Sequence, residues 1–160
     1  MKKIFMLGIL LFILGNISLF ARSPEKPYEN WEAEITWKME ETMIKIDEDI
    51  KFINENYFEI AKAIKNNKPI PGGYDKWLFI NDPKQDPENA KHIAAFTKKN
   101  NSYIDPFVKI AEEWMDGFGV PKKDRERANN YLHEELVGNI GDGLYELSDA
   151  YDKVTTALNE

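Results

Sequence analysis

The sequence predicts an all-α protein, with a long amino-terminal amphipathic helix followed by two antiparallel helical hairpins in a bundle or a short solenoid-like array. Three observations predict it. Apolar residues recur in steps of three and four from Trp31 to Ile64, the period of one helix face and not of a strand. Asp-Pro pairs and glycines punctuate the second half as helix starts and stops. With 160 residues, 42% hydrophobic and 12% aromatic, the chain can bury one core and suits one domain.

The amino terminus reads as a targeting segment. Lys2 and Lys3 precede the uncharged apolar run Ile4 to Gly15, and Ser18-Leu19-Phe20-Ala21 ends on a small residue. Residues 1–21 are therefore expected to be a bacterial-type signal peptide cut after Ala21, with a cut after Ser23 or an uncleaved anchor over Ile4 to Phe20, weakened as a span by Asn16 and two glycines, as the alternatives. An exported product, periplasmic or extracellular, would keep no stable membrane insertion. Residues 22–30, with Pro24 and Pro27, form a spacer, and residues 31–160 a single helical domain.

The first helix is expected from Trp31 to Asn66. Its stripe is Trp31, Ile35, Met39, Met43, Ile46, Ile50, Ile53, Tyr57, Ile60 and Ile64. Trp37, Ile44, Phe52 and Phe58 lie off that line and are expected to widen the buried face. The stripe suits the chain's own core, and its late three-four spacing also allows a homodimer seam from Trp31 to Ile64. Two prolines and two glycines between Pro69 and Gly73 end the helix. The apolar run Trp77 to Ile80 is open to a buried loop, a helical turn or a short strand.

Asp86-Pro87 and Asp105-Pro106 each place an acid where it can cap a helix and a proline where no N–H is needed. Helices are expected over Pro87 to Lys99 and Pro106 to Asp116, closed by Gly117. The next two run from Asp124 to Val137 and from Asp142 to Leu158, separated by Gly138-Asn139.

Five residue pairs recur at an offset of 38, among them Asp86 with Asp124, Ala90 with Ala128 and Phe107 with Tyr145, as in arrays of helix pairs. Trp114, the run Gly117-Phe118-Gly119-Val120, Asp124, Ala128 and Tyr131 resemble the Sel-one-like repeat, a relative of the tetratricopeptide repeat. The resemblance covers residues 86–151 and departs from the family by one extra residue between Val120 and Ala128. It implies a binding scaffold without chemistry.

No catalytic, cofactor or metal set is legible. His133-Glu134-Glu135 lacks the second histidine of a zinc-protease helix, and His92 is the only other histidine. Glu40-Glu41, Asp47-Glu48-Asp49 and Glu112-Glu113 sit among lysines and read as solvated faces. The chain has no cysteine, so no disulfide supports it. Its formal charge is −7, and −9 once Lys2 and Lys3 are removed. That balance disfavours nucleic acid and favours a basic protein as partner.

Aromatics near helix ends, namely Tyr74, Trp77, Phe79, Tyr103 and Phe118, are the candidate partner-binding residues. The functional expectation is a non-catalytic protein-binding module of the envelope, either a helical-repeat-like adaptor or a periplasmic inhibitor of immunity type. A wall-active enzyme using a carboxylate pair and a structural helical dimer are the alternatives.

Overall fold

The structure, a computed structural model, describes residues 31–81, 86–115 and 122–160. The signal segment, the spacer and the Gly117 corner with Phe118 lie outside the described residues. The described residues are helical, with no strand among them. Helix α1 spans Trp31–Lys65, α2 Asp86–Met115, α3 Arg125–Glu135 and α4 Gly141–Asn159. A π-helical segment, Leu136–Ile140, links α3 to α4. Short 3₁₀ turns occupy Pro71–Gly73, Lys76–Leu78 and Lys122–Asp124.

The stripe in α1 is a core face at five of its ten positions, with Met39, Met43, Ile50 and Ile64 half-buried and Tyr57 43% exposed. Trp31, Ile35, Ile46, Ile53 and Ile60 are all buried. Such side chains each stabilise by about 1.5–3 kcal/mol when taken from water. The helix ends in a Schellman turn. Lys68 N–H donates to the Ala63 carbonyl and Asn67 N–H to Ile64, with Asn67 at φ 50°. The run Trp77 to Ile80 resolves as a helical turn, with Asp75 accepting the Trp77 N–H at 3.0 Å.

Two expected turns are absent. The Asp105-Pro106 signal starts no helix, because α2 runs through it from Asp86 to Met115 with Pro106 inside. Ile104 and Phe107 on either side of it are fully buried, so packing holds the helix where local preference would break it. Likewise Gly138-Asn139 opens no gap between helices. It widens one turn into the π segment, and α4 follows at once. The offset pairs differ in setting: Ala128 and Phe107 are buried, whereas Ala90 is exposed and Tyr145 half-buried.

The chain divides into two compact units, Met1–Ile44 with Tyr103–Gly143, and Lys45–Ser102 with Leu144–Glu160. In the first, α1 and α3 run in the same direction. Glu32 pairs with Arg127 at 3.0 Å, Thr36 Oγ1 hydrogen-bonds the Tyr131 hydroxyl at 2.9 Å, and Asn139 Nδ2 donates to Met39 Sδ at 3.2 Å. The core of this unit includes Trp31, Ile35, Tyr103, Ile104, Phe107, Ala128, Leu132 and Ile140.

In the second unit, α4 packs on α1 and on the connector. Lys65 Nζ donates to the Ala157 carbonyl at 3.1 Å, Lys153 Nζ to Asn54 Oδ1 at 2.6 Å, and Thr155 Oγ1 to the Phe79 carbonyl at 2.8 Å. Ile46, Ile53, Ile60, Phe79, Leu144, Leu147, Tyr151 and Val154 fill its core.

Candidate partner-binding surface

Three of the four off-line apolar residues of α1 do not widen its core face, whereas Phe52 is half-buried and meets the Tyr74 ring at 5.9 Å. Trp37 and Ile44 are each 58% exposed, and in the second unit Phe58 is 61% exposed. The reason is angular. Trp37 follows the buried Ile35 by two residues and Ile44 precedes the buried Ile46 by two, about 200° around a helix turning ~100° per residue. They therefore point away from the core, seven residues apart on one line.

Within the first unit this outward line carries charge as well. Glu40 is exposed, and Glu41 pairs with Lys38 at 2.8 Å. The same Lys38 Nζ stands 4.6 Å from the centroid of the Trp37 ring. One ammonium thus bridges an aromatic face and a carboxylate on adjoining helix turns.

Elsewhere in the first unit, Arg127 lies 5.0 Å over the Trp31 ring, which meets Tyr131 edge-on at 6.0 Å. Beside them Lys123, Glu126, Arg127, Asn130, Tyr131 and Glu134 line an open hollow of about 410 Å³. Its charges are mixed and compensate one another.

The second unit holds a polar cluster against an aromatic wall. Tyr74 donates its hydroxyl hydrogen to Asp49 Oδ1, and Lys99 Nζ pairs with Asp49 Oδ2 at 2.8 Å while standing 5.5 Å from the Tyr74 ring centroid. Asp49 is thus half-buried and fastened, a correction to the solvated face expected for Asp47-Glu48-Asp49. Burial first, then the hydrogen bond and charge of Asp49, push the Tyr74 phenol well above its usual range. Tyr151 is 3% exposed, and burial with the nearby Asp49 charge raises its phenol too. Its hydroxyl has no hydrogen-bond partner among the described residues.

Phe79 meets Tyr74 and Tyr151 edge-on at 6.0 and 5.6 Å, and Phe96 meets Tyr151 at 6.3 Å. His92 stacks on Phe96 and donates from Nδ1 to the Trp77 carbonyl at 2.8 Å.

The candidate aromatics therefore separate. Phe79 and Tyr103 are core residues, at 0% and 4% exposure, and present nothing to a partner. Tyr74 is half-buried and spent on Asp49. Trp77 is half-buried between two ammoniums, Lys91 at 4.4 Å and Lys76 at 5.0 Å. Tyr74, Trp77 and Phe79 share the connector of the second unit, and Tyr103 belongs to the first. Trp37 and Ile44, expected from the sequence to be buried, are instead an exposed pair. Their offset from the stripe was the signal that could have placed them.

Among the described residues no group of three or more His, Asp or Glu side chains is placed to hold a metal, and no helix is long and apolar enough to cross a membrane. No protein-family model, curated protein or solved structure matches the chain.

Proposed function

We propose that the chain is an exported protein of the bacterial envelope that works without catalysis, as a protein-binding module of adaptor or inhibitor type. The observation that carries this reading is the pair Trp37 and Ile44, each 58% exposed on the side of α1 opposite its buried isoleucines. Large apolar groups held in water are costly, and aromatic anchors of this kind carry much of the energy of protein interfaces. Export rests on Lys2, Lys3 and the apolar run Ile4 to Gly15. The helical-repeat resemblance over residues 86–151 points to the same class of scaffold.

The polar cluster of the second unit favours a fastening role over chemistry. Asp49 faces an ammonium and a phenol rather than a second acid, unlike the facing carboxylates that glycoside hydrolysis needs. A phenol held protonated is a poor base or nucleophile.

The test compares immobilised protein with its Trp37→Ser/Ile44→Ser variant in envelope extract, with captured proteins identified by mass. A protein retained by the first and lost from the second, at equal helicity, supports the reading. Equal capture by both counts against it. Export is tested on the cell-made protein, whose amino terminus should begin at Arg22 in the envelope fraction.

A further inference from the structure

We infer that Met39 is a reversible oxidation site, at which a peroxide converts the thioether to a sulfoxide whose oxygen is then held by the Asn139 amide. The inference goes beyond the protein-binding reading above and does not rest on it.

The chain has five methionines and no cysteine, so thioethers are its soft, oxidisable sulfurs. Among the described side chains Met39 has a hydrogen-bond donor on its sulfur, Asn139 Nδ2 at 3.2 Å, and Met43 has none. The contact lies at the surface of the first unit, between α1 and the π-helical segment. Met39 is half-buried, Gly138 and Asn139 are exposed, and nothing stands within 4 Å of where a Gly138 side chain would begin. A molecule as small as a peroxide has a path along this open turn.

The donor is held in place. Asn139 Nδ2 also donates to Glu135 Oε2 at 2.5 Å, and a carboxylate accepts only from the NH₂ end of the amide. Glu135 thereby fixes which end of Asn139 faces the sulfur. Widened helical turns of this π type recur at functional positions.

In the oxidation a sulfur lone pair attacks one oxygen of hydrogen peroxide and the O–O bond breaks. The departing hydroxide takes the proton left on the transferred oxygen. Thioether and peroxide thus give sulfoxide and water, with two electrons passing from sulfur to the peroxide. A thioether is a weak acceptor and the sulfoxide oxygen a strong one, so the Asn139 bond strengthens on oxidation. At Met43, half-buried on the stripe, the same oxygen has no such donor and meets the core face.

The geometry also selects a product. A gap of 3.2 Å leaves no room for an oxygen between sulfur and nitrogen, so transfer goes to the lone pair turned away from Asn139. Rotation about the last torsion of the flexible side chain then brings the oxygen to the amide hydrogen. One sulfoxide epimer is favoured.

The experiment treats the full chain and its variants with hydrogen peroxide, locates sulfoxides by peptide mass mapping, and reads urea midpoints before and after. Met43→Leu keeps Met39, Met39→Leu keeps Met43, and the other methionines are common to both. Oxidation should lower the folding equilibrium constant of Met43→Leu at least about fivefold less than that of Met39→Leu. Adding Asn139→Ala to Met43→Leu should remove this protection at unchanged helicity. In the parent one Met39 sulfoxide epimer should exceed the other at least about threefold, read with the two epimer-specific sulfoxide reductases, and Asn139→Ala should bring the ratio near unity.

Equal losses in the two methionine variants, a loss unaltered by Asn139→Ala, or equal epimers in the parent would overturn the assignment. Conversion of Met43 while Met39 stays a thioether would overturn it too.

Discussion

At the scale of single residues, the connector of the second unit depends on two glycines for different reasons. Both have positive φ, +78° at Gly72 and +71° at Gly73, a region that costs a side-chain-bearing residue about 1–2 kcal/mol. Gly72 has a second constraint. A Cβ there would lie 2.5 Å from the Tyr74 ring and 2.7 Å from the Phe52 ring, whereas one at Gly73 would meet nothing within 4 Å. Moving either ring disturbs the contact between them, at 5.9 Å, and the hydrogen bond from Tyr74 to Asp49. Gly72→Ala should therefore cost about 2–4 kcal/mol, strain plus overpacking, and Gly73→Ala about 1–2 kcal/mol. Urea denaturation of the two variants measures this, and equal losses would contradict the crowding argument. Neither requirement shows in the sequence beyond a turn signal, because the rings that crowd Gly72 come from α1 and from the connector itself.

At the scale of elements, the legible features were those set by local periodicity and capping. The stripe from Trp31 to Ile64 located α1, and its end came within a residue of the expected Asn66. Asp86-Pro87 and Asp142 marked the starts of α2 and α4 to within a residue. Illegible were the places where packing overrides a local signal. Pro106 reads as a first helical residue, yet it lies well inside α2, between the buried Ile104 and Phe107. There the ring removes the N–H that would bond the Ser102 carbonyl. Pro106→Ala restores that bond and removes the interior proline penalty, which reaches about 3 kcal/mol. The variant should gain about 1–3 kcal/mol and melt at a higher temperature. A melting point unchanged or lowered would show that the ring is preferred at this position. The outward pair Trp37 and Ile44 was legible from angle alone, since each stands about 200° around the helix from a buried isoleucine.

At the scale of the whole molecule, the buried phenols tie folding stability to alkaline pH. Tyr74 and Tyr151 are both raised above the ordinary tyrosine value of 10.0, chiefly by burial and then by Asp49. The sign follows from proton counting. Above pH 10 an unfolded chain releases these protons while the folded chain retains them, so each unit of pH favours unfolding. Stability from the two phenols is present in full below pH 10 and is lost as pH rises from there toward their folded values. The growing negative charge of an already acidic chain acts in the same direction. Urea midpoints should be flat in this respect from pH 7 to 9 and fall steeply from pH 10 to 11.5. The two hydroxyls also differ at neutral pH. Tyr74→Phe removes the donor to Asp49 and should cost about 1 kcal/mol, whereas Tyr151→Phe removes a buried hydroxyl with no partner among the described residues and should be neutral or stabilising. Either change should make the alkaline fall shallower, and the double variant shallower still. A double variant as steep as the parent would place the titration elsewhere and detach alkaline stability from the Asp49 cluster.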